Sequence, residues 1–117
     1  MAEYAGRFIA QWTVVATQNS NTAATATKAG VGIGRHFITG YSVSCSAAPA
    51  TTVSLSLTNG ATTVERVELP AALFAPIVVN FQAPIRCDIN SAAAISCPAV
   101  GGTTRSTVTL RGFTTYE

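Results

Sequence analysis

Lys28 to Phe37 reads KAGVGIGRHF: three glycines at alternate positions, then an arginine and the only histidine of the chain. A glycine loop that cradles phosphate does so with backbone N–H groups at the start of a helix, whose dipole faces the anion. Here the residues after Gly34 are RHFITGYSVSC, an alternating strand, so the helix is missing. The spacing also lacks the GxGxxG and GK[ST] patterns. The stretch is expected to be a flexible approach to a strand, or a place where another backbone comes close.

The remaining chemistry-bearing residues do not converge. Cys45, Cys87 and Cys97 with His36 contain the atoms of a Cys3His zinc site, but no two are spaced to present thiolates from one knuckle. An odd cysteine count with no CxxC argues against an obligatory disulfide framework. His36 shares a strand parity with Ile38 and is expected at the surface or an interface. The acids Glu3, Glu65, Glu68, Asp88 and Glu117 show no paired-carboxylate pattern, and the serines form no GxSxG elbow. No catalytic residue, metal or cofactor is expected.

At 117 residues the chain suits one domain, spanning 1–117 with a short N-terminal arm at 1–6. Hydrophobic residues make up 48% and charged residues only 10%, well below the roughly 25% of ordinary soluble domains. A surface of Ala, Thr, Ser, Gly and Asn in place of charge is expected to be covered by neighbours. The net charge is +2, and Arg7, Lys28, Arg35, Arg66, Arg86, Arg105 and Arg111 are scattered, so no nucleic-acid footprint exists. No apolar run reaches a membrane helix's length. The N-terminus MAEYAGRFIAQW carries an acid where a secretory signal has basic residues, and use without export is expected.

Alternation dominates the pattern. Phe8, Ala10, Trp12 and Val14 share one side of a strand, with Trp12 packed in the core. Phe37, Tyr41, Val43 and Cys45 share another, as do Val53, Leu55 and Leu57; Ile77, Val79 and Phe81; and Ile85, Cys87 and Ile89. Thr17 to Ala29 reads as a weak edge strand or a loop, and Pro70 to Pro76 holds at most one helical turn. Asn59-Gly60 signals a type I′ hairpin that sets Leu55 opposite Val64, with a bulge near Glu65 or Arg66. A second hairpin, about Ala92, would set Cys87 opposite Cys97 and Ile89 opposite Ile95. The ladder spacing admits a Cys87–Cys97 disulfide, while a reducing compartment favours two thiols side by side in the core. Val100 to Thr104 is a further turn. These signals predict an all-β antiparallel sandwich of about eight short strands, a jelly roll.

The run LPAALFAPIVVNFQAPIRCDINSAAAISCPAVGGTTRSTVTLRGF, Leu69 to Phe113, resembles the C-terminal half of small structural proteins of tailed bacteriophages. In length and composition the chain is most similar to their head decoration, or cement, proteins. That resemblance implies a jelly-roll protomer, commonly a homotrimer, at threefold or quasi-threefold positions outside the head. There it would bridge capsomers, with the major capsid protein as partner, on a virion assembled in host cytoplasm. Tyr4 and Arg7 of the arm, with Arg111, Phe113 and Tyr116, are the expected contact residues; the competing expectation is that the arm merely frays. A receptor- or carbohydrate-binding fibre module, or another small tail or neck component, is the alternative.

Overall fold

The computed structural model describes residues 8–18, 22–46, 52–69, 76–99 and 105–116. Eight strands run in chain order: β1 (Phe8–Gln18), β2 (Ala24–Lys28), β3 (Gly34–Cys45), β4 (Val53–Asn59), β5 (Thr62–Leu69), β6 (Ile77–Ile89), β7 (Ala93–Cys97) and β8 (Ser106–Tyr116). They form two antiparallel four-stranded sheets, ordered β1-β8-β3-β6 and β2-β7-β4-β5. This is the jelly roll that the alternation predicts. The arm at 1–6 with Tyr4, Arg7, the turn at 100–104 and nearly all of the Pro70 to Pro76 segment lie outside the described residues.

One rule generates the topology. The pairs Phe8↔Tyr116, Ala24↔Cys97, Arg35↔Ile89, Val43↔Ile77 and Asn59↔Thr62 all have their sequence midpoint between positions 60 and 62. The chain is thus one long antiparallel hairpin, β1-β2-β3-β4 against β8-β7-β6-β5, folded over so that β8 also pairs β3 and β7 also pairs β4. The apolar face of each layer then closes on the other. Ile38, Tyr41, Val43, Val108 and Leu110 meet Val53, Leu55, Leu57, Leu69 and Ile95 in a single core.

The turn at the tip departs by one residue from the expected register. Asn59 pairs Thr62, so the turn is Gly60-Ala61, and Gly60 has the positive φ of 59°. Asn59 is held in the ladder because its side chain serves elsewhere. Its Oδ1 accepts from Ser91 Oγ at 2.8 Å and from the Asp88 N–H at 3.2 Å. Gly60 N–H donates to the Ala92 carbonyl at 2.8 Å, docking the tip on the β6–β7 connection. The bulge falls at Val64, between Leu57↔Glu65 and Thr58↔Thr63, so Leu55 faces Val67 and not Val64. Glu65 is thereby turned inward, where its Oε2 is buried without a hydrogen-bond partner among the described residues.

The hairpin expected about Ala92 does not exist. Asn90 does turn the chain, with φ of 57°, but it sends β7 into the opposite sheet from β6. Cys87 and Cys97 are therefore not ladder partners; both are fully buried, and both are free thiols. Ile89 is not on the core side with Cys87 but more than half exposed. Residues 24–28 form a strand whose core-facing residues, Ala24 and Ala26, are buried. In β3, Thr39 is an extra residue between Ile38↔Gly112 and Gly40↔Arg111. The side-chain parity flips at that bulge. Phe37 therefore faces out while Tyr41 and Val43 face in, correcting the single face expected for them.

Candidate interaction face

The outward residues of β1-β8-β3-β6 form the most varied surface of the described structure. β8 lies between β1 and β3, so Phe113 is flanked by Gln11 on one side and Phe37 on the other. The two phenylalanine rings stack with centroids 4.9 Å apart and planes 9° from parallel. Such a pair contributes roughly 0.5–1.5 kcal/mol beyond its buried area. Arg111, two residues earlier on the same face, is flanked by Thr13 and Gly40. Gly40 is needed here: a Cβ would lie 2.5 Å from the Val79 carbonyl oxygen, with Asn80 Oδ1 at 3.0 Å and Arg111 Nη2 at 3.1 Å. Through that gap Arg111 Nη2 donates to Asn80 Oδ1 at 3.3 Å.

Beside the stack, Gln11, Thr13, Thr39, Arg111 and Phe113 surround a hollow of about 370 Å³ floored by Trp12 and Gly112. Arg86 pairs with Phe37, and Arg35 donates to the Cys87 carbonyl at 2.8 Å. The face thus combines two aromatic rings, three guanidinium groups and exposed valines, Val15 at 61% and Val78 at 60%. It offers apolar area, charge-assisted hydrogen bonding and a recess, which suit a binding surface.

Of the five expected contact residues, the structure brings Arg111 and Phe113 together on this face. Tyr116 is on the other side of β8, lying against Gly34, where a Cβ would be 3.1 Å from its ring. Phe37, Gln11, Thr39 and Asn80 were not picked from sequence. The glycine inside the strand FITGYS was the available signal of a bulge that turns Phe37 outward.

His36 is not at the surface; it is 1% exposed between the sheets. Its Nε2 donates to the Ala29 carbonyl at 2.7 Å, since a carbonyl can only accept. Its Nδ1 lies 2.5 Å from Thr114 Oγ1, which also accepts from Trp12 Nε1 at 2.9 Å. Both imidazole nitrogens therefore have hydrogen-bond partners inside the protein. The Trp12 ring meets it edge-on with centroids 5.5 Å apart. This chain of contacts ties β1, β3, β8 and the β2–β3 connection together, and no carboxylate belongs to it.

The glycine stretch belongs to the same end of the sandwich. A Cβ on Gly30 would come within 2.6 Å of the Asn90 carbonyl oxygen, and Asn90 N–H donates to Gly34 O at 2.9 Å. It is a close approach of two backbones. The thiols are held protonated: burial pushes Cys97 up to about 11, nearby Cys45 adds to this, and a hydrogen bond with Ser106 offsets it in part. Burial raises Cys87 and Cys45 as well. Among the described residues, no group of three His, Cys, Asp or Glu side chains is placed to hold a metal ion.

No family model and no curated protein matches the sequence. Solved structures do match the fold. A chain from the acidic stable capsid structure of Helicobacter pylori bacteriophage KHP30 superposes with a TM-score of 0.58 at 9% identity, covering 92% of each chain. The PRD1 vertex protein P5 superposes at 0.53 with 13% identity, covering 88% of this chain and 96% of the other. At such identities the likeness is one of fold, and it extends over nearly the whole of all three chains.

Proposed function

We propose that this chain is a non-enzymatic virion structural protein, a head decoration protein bound outside a tailed-phage capsid, where it bridges capsomers. The observation that carries the reading is the interaction face: a stacked Phe37–Phe113 pair beside Arg111 and a recess, on a jelly roll otherwise poor in charge. The fold likeness to a phage capsid chain and a vertex protein supports it. Stabilisation needs no catalytic group. A protein that binds the assembled lattice better than separated capsomers adds that difference in affinity to the lattice's stability. The major capsid protein is the proposed partner, with copies grouped in threes.

Cryo-electron microscopy of the native particle tests this. Density for the chain on every capsomer supports decoration, and a few copies at a single vertex would replace it by a tail or fibre role. One observation favours that second reading: the hollow sets the Phe113 ring beside Gln11 and Arg111, as a carbohydrate-binding module would. Deleting Ala2 to Gly6 asks separately whether the arm contacts the particle: weakened binding by a folded domain supports the contact, and unchanged binding leaves the face alone responsible.

A further inference from the structure

The two sheets leave four edge strands, β1, β6, β2 and β5. An edge presents unpaired backbone donors and acceptors, and proteins guard such edges with charge, proline, bulges or shortness. β5 carries Glu65, Arg66 and Glu68 and the bulge at Val64. β6 carries Pro84, Arg86 and Asp88 and breaks register with β3 twice. β2 is five residues long and ends in Lys28. β1 has none of these. Its sequence FIAQWTVVATQ contains no charge, proline or glycine, and eleven pairs with β8 run from Phe8↔Tyr116 to Gln18↔Ser106 without a shift. Among the described residues no strand pairs with its other side.

The core side of β1 is also left unfinished. Trp12, Val14 and Ala16 are only half-buried, whereas Val108 and Leu110 on adjacent β8 are fully buried. We infer that β1 is the edge through which two copies of this chain join, β1 pairing antiparallel with β1 of the partner to make a continuous eight-stranded sheet. Centred on Thr13, this pairing overlaps the whole strand and keeps both core faces on one side. Trp12 then faces Val14 of the partner subunit, Gln11 faces Val15 of the partner subunit, and Thr13 faces its own counterpart. No charge meets a charge. The contact is isologous, so it closes after two copies. The edges remaining at both ends of the joined sheet are β6, which is guarded. A partner other than a second copy would need its own unguarded strand, while β1 supplies both halves here.

The contact is twofold and separate from the threefold grouping proposed above; on a lattice it would join copies from different trimers. It is tested on the full chain free of particles, so its outcome does not depend on the decoration reading. Thr13→Cys is expected to give a disulfide-linked species of twice the chain mass on mild oxidation, with wild type and Ser54→Cys giving none. Thr13→Lys should weaken concentration-dependent self-association at least about tenfold by light scattering, because like charges then meet at the dyad. Mixing Thr13→Lys with Thr13→Glu should restore it. A wild type that stays monomeric, a Thr13→Cys protein that does not cross-link, or association unchanged by Thr13→Lys overturns the inference.

Discussion

The two sheets close their inner faces into one core and present very different outer ones. The β1-β8-β3-β6 sheet has strands of 11 to 13 residues and turns Phe37, Phe113, Arg86, Arg111, Val15 and Val78 outward. The β2-β7-β4-β5 sheet has strands of 5 to 8 residues. Its outer face is mostly Ser and Thr, closed by local bonds such as Thr25 Oγ1 to Ser96 Oγ at 3.0 Å and Ser54 Oγ to Glu68 Oε1 at 2.7 Å. Folding explains the inner faces, since each layer must cover the other. It does not require stacked phenylalanines in water on one side only. The asymmetry therefore separates what the fold needs from what a partner would need.

The largest effect expected is on the inner side of the long sheet, at Gly112. A Cβ there would overlap the Phe37 carbonyl oxygen and come within 2.7 Å of the Trp12 ring. Gly112→Val should cost about 3 kcal/mol or more in urea unfolding, through overpacking and loss of the Trp12 position. Gly32→Ala is its control, because nothing lies within 4 Å of that Cβ. An equal, small cost for both would dissolve the distinction between a packed and an open glycine.

Next comes the seam between the sheets. The Cys97 thiol is raised from 9.0 to about 11, so the folded state holds its proton more tightly than the unfolded chain. The stability this contributes is fully present below pH 9 and is lost as pH rises through 11. Two pKa units correspond to roughly 2 to 3 kcal/mol. Tyr41, raised by burial and then by Glu65, acts in the same direction. Cys97→Ala should flatten the alkaline limb of a stability–pH curve, and an unchanged limb would show that the inner faces are wetter than they look.

The outer faces give the smaller effects in stability and the sharper contrast in binding. Phe113→Ala should cost about 1 kcal/mol, the worth of the stack, yet abolish association with particles. Ser54→Ala, on the other sheet, should stay within about 0.5 kcal/mol and leave particle binding unchanged. Equal binding by both variants would remove the functional meaning of the asymmetry.

Strand count and sandwich class were legible because period-two alternation is a local signal with a single structural answer. What the alternation could not reveal was set by partners far away in sequence. His36 looked like a surface residue because its hydrogen-bond partner Thr114 comes 78 positions later. A chain reversal was expected about Ala92, but a reversal does not say which sheet the next strand enters, and so the Cys87 and Cys97 pairing failed. Asn59 looked like a turn centre because its use by Ser91 and Asp88 is invisible locally. Arg111 and Phe113 were reachable as outward residues of a terminal strand, whereas Phe37 required knowing that Thr39 is inserted.

The shared midpoint of the strand pairs has a consequence for how the molecule can be cut and rejoined. Since each pair of the long hairpin is nested within the next, from Asn59↔Thr62 out to Phe8↔Tyr116, those pairs can close like a zip fastener pulled from its tip, with the β3–β8 and β4–β7 pairs made as the hairpin folds over. Each outer pair closes only a short additional loop once the inner one is made, which keeps its entropic cost low despite the long sequence separation. A circular permutant that joins the chain ends through a short linker and opens between Gly60 and Ala61 would keep every rung of both ladders. It would nevertheless reverse the direction of the zip, nucleating at β1 and β8 and finishing at β4 and β5. Native stability and folding route are thereby separable in this chain by moving a single peptide bond.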